Sequence, residues 1–160
     1  MEKIMDCLWF DGNAKEAVRF YASVFKGAKI TSVLYHDESS AMASGRKKGE
    51  VLAITFRLNG REFMALNGGP EFKFSPAISL MVYCKTQKEI DYYWKKLTQG
   101  GQEIECGWLT DKFGLTWQIV PSILDKLLAS KDKEKSARVM KAMLKMKKLD
   151  IAKFKQAAKG

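Results

Sequence analysis

The chain repeats itself, and this limits its possible folds more than any other feature. Displaced by 73 positions, Lys15 and Glu16 fall on Lys88 and Glu89, Phe20 and Tyr21 on Tyr93 and Trp94, and Gly27 on Gly100. Displaced by 54, the run Gly60-Arg61-Glu62-Phe63-Met64-Ala65-Leu66 falls on Gly114-Leu115-Thr116-Trp117-Gln118-Ile119-Val120. A supersecondary unit used twice has an apolar face it cannot bury alone, so the two copies are expected to share one core and one cleft.

Apolar periodicity assigns the elements. A strand over residues 4–10 leads to a helix over 14–25, with Asn13 placed to cap it and Gly27 to stop it. Strands follow over 29–35, 51–58 and 62–66, the last two joined by Asn59-Gly60, a pair that tolerates the positive φ of a tight hairpin. Between them, 39–49 is small and polar and reads as a mobile surface loop. His36, the single histidine, leads into that loop and is expected to be exposed. The second copy gives a strand over 77–83, a helix over 86–98, a stop at Gly100-Gly101, and strands over 102–105, 107–110 and 115–120.

Charge separates this body from the C-terminal quarter of the chain. Of the net charge of +10, eight units lie in residues 122–160, which hold twelve basic and four acidic side chains. Val139, Met143 and Met146, with Met140 and Leu144 alongside, recur at helical spacing there, and Asp150 is placed to start a last helix containing Ile151 and Phe154. This predicts a helical arm whose apolar stripe docks on the body or a partner subunit while its lysines face water. Nucleic acid is not the expected partner, because no stacking aromatic or known motif accompanies the lysines. The alternative reading is a basic arm that binds nucleic acid.

No apolar run approaches the roughly 20 residues of a membrane span, and residues 1–15 lack a signal-peptide pattern, so a cytoplasmic protein without membrane association is expected. Cys7, Cys84 and Cys106 have neither disulfide nor zinc spacing and are expected to be free thiols.

Four phrases, Leu8-Trp9-Phe10-Asp11-Gly12-Asn13-Ala14, Phe63-Met64-Ala65-Leu66-Asn67-Gly68-Gly69-Pro70, Cys106-Gly107-Trp108-Leu109 and Asp111-Lys112-Phe113-Gly114-Leu115-Thr116-Trp117-Gln118, resemble the PhnB-like branch of the vicinal oxygen chelate superfamily. That branch is often labelled demethylubiquinone methyltransferase-like. The resemblance implies an α+β fold of two βαβββ modules forming an open cup, here a body of residues 1–121 followed by the arm at 122–160. It also implies a homodimer. In the superfamily's metalloenzymes His, Glu or Gln side chains from the first and last strands hold a divalent cation. The corresponding positions here are Asp6, Met64, Ser79 and Gln118, too poor a ligand set for a metal, and no other cofactor is expected.

Strand alternation places Leu8 with Asp6, Met81 with Ser79, and Thr116 with Gln118, while Trp9, Phe63, Leu80, Val82 and Trp117 are expected beneath the helices. The expected ligand-binding set is therefore Asp6, Leu8, Met64, Ser79, Met81, Trp108, Thr116 and Gln118, suited to a small hydrophobic or aromatic molecule. Asp6 as a base and Cys106 as a nucleophile are the candidates for catalysis, although no histidine stands by to activate the thiol. An enzyme, either a metal-assisted lyase or isomerase or a group transferase acting on a quinone-like substrate, is the alternative to a binder.

Overall fold

The computed structural model describes residues 4–160, and in it the duplicated pattern becomes two four-stranded sheets, each backed by a helix. The chain divides into two units, Met1–Lys73 and Phe74–Gly160.

The first unit runs β1 (Asp6–Phe10), α1 (Ala14–Val24), β2 (Lys29–Tyr35), α2 (Glu38–Ser44), β3 (Val51–Leu58) and β4 (Arg61–Asn67). Its sheet order is β1-β4-β3-β2, with β1 and β4 parallel and the other pairs antiparallel. Helix α1 buries Ala14, Ala17, Val18, Tyr21 and Val24, the i, i+3, i+4, i+7 stripe that its sequence carries. Tyr21 stacks on Phe56 at 6.3 Å and Phe56 on Phe63 at 5.6 Å. Each such fully buried ring stabilises the unit by about 1.5–3 kcal/mol.

Asn13 does not cap α1 with its side chain. The Ala14 N–H donates instead to Asn67 Oδ1 at 2.9 Å, and Asn67 Nδ2 donates to the Val51 carbonyl at 2.8 Å. The cap thus comes from the end of β4 and ties helix to sheet. Two other expectations fail. The segment 39–49 is not all loop, because Asp37 and Ser40 form a reciprocal capping box that starts α2. His36 is buried, not exposed, at 4% accessibility, with Nδ1 3.3 Å from Ser40 Oγ; Nε2 has no partner among the described residues.

The second unit runs β5 (Leu80–Cys84), α3 (Gln87–Leu97), β6 (Gln102–Glu103), a 3-10 turn (Glu105–Gly107), β7 (Trp108–Thr110) and β8 (Thr116–Pro121), in the order β5-β8-β7-β6. Ile90, Trp94 and Leu97 of α3 are buried, as are Val82, Cys84, Trp117 and Ile119 on the alternate positions of β5 and β8. Burial, with the nearby Glu89 carboxylate adding to it, pushes the Cys84 thiol up to about 12, so it behaves as a core apolar group. Asp111, only 2% exposed, organises the β7–β8 turn: Oδ1 accepts from the N–H groups of Phe113 (2.9 Å) and Leu115 (3.1 Å), and Oδ2 from Trp117 Nε1 (2.8 Å).

The arm continues this unit as α4 (Leu124–Leu128), α5 (Lys133–Met143) and α6 (Ile151–Ala157). Val139, Met146, Leu149 and Phe154 form a small core with Leu124 and with Val120 of β8, and Met143 packs against it. Met140 and Leu144 stay exposed at 39% and 63%. Docking is completed by main-chain bonds from Cys106 N–H to Met146 O and from Gly107 N–H to Lys147 O, both 2.7 Å. The Gln87 side-chain amide adds two bonds, its Oε1 accepting from Ile151 N–H at 2.9 Å and its Nε2 donating to the Leu149 carbonyl at 3.2 Å. No helix among the described residues is long and apolar enough to cross a membrane.

Candidate functional site

In the second unit, five of the expected site residues come to one face of the sheet. Along β8, Trp117 and Ile119 turn toward the buried layer, which leaves Thr116, Gln118 and Val120 on the opposite face. Met81 of β5 and Trp108 of β7 both stand in register with Gln118, so a thioether, an amide and an indole form a row across three strands. Ser79, just before β5, accepts a hydrogen bond from Gln118 Nε2 at 2.7 Å, which fixes the amide's orientation. Met81 and Tyr83 are exposed at 46% and 53%, although apolar and aromatic side chains of this size normally seek cover. Thr116 differs in being fully buried, and its hydroxyl has no partner among the described residues. At the far end of the face the arm covers Val120, and the Asp125 carboxylate beside Tyr83 raises that phenol above its ordinary value.

In the first unit the sequence expectation is off by one residue. Cys7 and Trp9 pair in register with Met64 and Leu66, whereas Asp6 and Leu8 pair with Phe63 and Ala65 on the face that packs under α1. Leu8 is a core residue at 7% exposure, and Asp6 is bound to Arg61 at 2.6 Å. Neither shares a face with Met64. The cause is a difference in connection length. Three residues, Asp11 to Asn13, link β1 to α1, with Gly12 at φ 81°, but only Lys85 and Thr86 link β5 to α3. The helices therefore repeat at 73 positions while the strands before them repeat at 74, and one residue of slip turns every side chain to the other face. Trp9, expected in the core, instead lies on the face with Met64. Its Nε1 donates to the Gly69 carbonyl at 2.8 Å, its ring meets Phe72 edge-on at 4.9 Å, and a Cβ on Gly68 would stand 2.2 Å from it. The run Asn67-Gly68-Gly69 is accordingly a seat for the indole and a cap for α1. Signals for Cys7 and Trp9 existed in that glycine pair and in the extra residue before α1.

Within the first unit Asp6 lies on the opposite side of the sheet from Met64, so these two positions corresponding to metal ligands do not converge. Among the described residues no three His, Cys, Asp or Glu side chains are grouped to hold a metal ion. Cys106, at φ 60°, directs its thiol toward the Met143 carbonyl at 3.8 Å and its N–H to the Met146 carbonyl, so it ties the turn to the arm. At each strand-to-helix connection one N–H of the helix's first turn is engaged by a side chain, Ala14 N–H by Asn67 and Glu89 N–H by Thr86.

Comparison with known proteins places this geometry. A model of the family described as 3-demethylubiquinone-9 3-methyltransferase matches residues 2–120. A solved structure from Bacillus cereus, described as a 3-demethylubiquinone-9 3-methyltransferase, PhnB protein, is 39% identical; the match covers 75% of this chain and 99% of that one at a TM-score of 0.66. Protein PA1353 from Pseudomonas aeruginosa, 18% identical over 76% of this chain and 98% of its own, has a TM-score of 0.60 and shows the same fold. No curated protein matches the chain.

Proposed function

The chain belongs to the PhnB-like 3-demethylubiquinone-9 3-methyltransferase family and has its two-module α+β fold, and from that membership we propose that it is a metal-free binder of a small hydrophobic or aromatic molecule. The observation that carries this reading is the row Met81, Gln118 and Trp108, with Ser79 holding the Gln118 amide in place. An apolar, polarisable surface with one oriented amide supplies contact area and a single directional hydrogen bond, the usual composition of a small-molecule site. The other Gln118 amide atoms then orient a hydroxyl or carbonyl on the ligand. We propose further that the protein acts in the cytoplasm as a homodimer, which sedimentation velocity would check.

Equilibrium dialysis with 2-naphthol, a neutral aromatic carrying one hydroxyl, tests the binding face directly. Gln118→Ala and Met81→Lys are each expected to weaken binding by at least about tenfold, the loss of one buried hydrogen bond or of apolar contact. Unchanged binding in both variants would overturn the assignment. Mass spectrometry of compounds retained through native purification then identifies the physiological ligand class.

A further inference from the structure

The arm holds the largest concentration of chemistry that the ligand face does not use. It lies beyond residue 120, where the family match ends, and its twelve basic side chains face only four acids. Three of those acids are engaged within the fold: Asp132 and Asp150 accept N–H bonds at the starts of α5 and α6, and Asp125 stands beside Tyr83. Lys148 pairs with Asp91 at 2.6 Å. Among the described residues, no other arm lysine has a carboxylate within ion-pair distance. Two of these uncompensated cations, Lys145 and Lys153, line one open groove of about 420 Å³ between α5 and α6, together with Ala142, Met146, Gln156 and Ala157. Lys141, Lys147 and Lys155 are exposed nearby in the chain.

We propose that this surface of the arm binds the phosphate backbone of duplex nucleic acid without reading its sequence. Lys145 and Lys153 seat a phosphate in the groove, and the exposed lysines beside them contact its neighbours, with counterion release as the driving force. The absence of a stacking aromatic, which counts against nucleic acid in the sequence, bears on single strands only: the arm's one aromatic, Phe154, is fully buried. A bilayer surface is disfavoured because Met140 and Leu144 are the only large apolar side chains the arm exposes.

The test is fluorescence anisotropy of a labelled duplex of about 20 base pairs with the full chain, from about 50 to about 200 mM salt. The double variant Lys145→Glu/Lys153→Glu is expected to lose at least about tenfold in affinity at the lower salt and to show a shallower salt dependence. Lys26→Glu/Lys29→Glu in the first unit makes the same change in net charge and is expected to alter affinity by less than about threefold. The proposal fails if the unaltered protein does not bind the duplex at the lower salt. It also fails if both pairs lose equally, since overall charge then suffices, or if vesicles of phosphatidylserine and phosphatidylcholine bind more tightly than the duplex. Circular dichroism checks folding, and should the glutamates unfold the arm, Lys145→Gln/Lys153→Gln carries the same comparison.

Discussion

Both units lead a parallel edge strand into a helix and then an antiparallel hairpin, but they stabilise the corresponding joints with different chemistry. Phe10 pairs with Asn67 in the first unit, and Cys84 with Pro121 at the duplicate place in the second. The asparagine reaches across to cap α1; proline has no side chain that can, and α3 carries its own Thr86–Glu89 box instead. The outer strand differs as well. Six residues of β2 pair with β3, whereas only Gln102 and Glu103 pair with β7 before the chain turns at Glu105–Gly107 and donates its N–H groups to the arm. The second module has given up edge pairing and gained a docking platform. Duplication preserves the layout while each copy finds its own partners for the main-chain groups that the layout leaves unpaired.

The outer edge offers the largest test of this difference. Gly101 occupies the place of Ala28, and a Cβ there would lie 2.0 Å from the Thr110 carbonyl oxygen, a main-chain atom that cannot swing aside. Gly101→Ala is expected to cost about 3 kcal/mol or more in urea denaturation, because β6 and β7 must separate. Ala28→Gly should cost only about 1 kcal/mol, the backbone-entropy difference. A loss below about 1 kcal/mol for Gly101→Ala would mean that the two edges are packed alike.

The hairpins come next. In the second unit the turn hangs on buried Asp111, and Asp111→Asn places an amide N–H₂ against donors that need an acceptor, at an expected cost of about 2–3 kcal/mol in thermal or urea unfolding. Its counterpart Arg57 makes a partly exposed pair with Glu62 at 3.4 Å, and Arg57→Ala is expected to cost under about 1 kcal/mol. Asn67→Ala removes the cross-sheet cap of α1 and is expected to cost about 1–2 kcal/mol, read by the same denaturation. Equal losses for Asp111→Asn and Arg57→Ala would erase the contrast between the hairpins.

These joints also explain what the sequence reveals. Helices, strands and the duplication are legible because period and glycine stops are local, and the second unit's Ser79, Met81, Trp108, Thr116 and Gln118 share a face as strand alternation predicts. The face of β1 is not legible from the helix-anchored repeat, since one extra residue at the Gly12 turn is absorbed before α1 begins. Helix α2 is hidden for another reason: its capping box uses Ser40 where Glu or Gln is the familiar signal. Long-range partners, such as Asn67 for Ala14 or Gln87 for Ile151, have no period at all.

The smallest expected effect separates the two helix caps by charge. Glu89 accepts N–H bonds from Thr86 at 3.0 Å and Lys85 at 2.6 Å, and these bonds hold its carboxyl below the ordinary value of 4.5. A carboxyl depressed by folding contributes its full stabilisation above its ordinary value and loses it as pH falls through the lower, folded value. The amide of Asn67 does not titrate. Hydrogen exchange read by NMR should therefore show protection at Lys85 and Thr86 falling as the pH drops below about 4, with Ala14 unchanged relative to global stability. The comparison belongs at α1 and not at α2, because Asp37, likewise depressed by its bonds to Ser40, makes the start of α2 acid-sensitive too. Loss of Ala14 protection in step with Thr86 would show that the α1 cap depends on a titrating group, and the chemical distinction between the two modules would go with it.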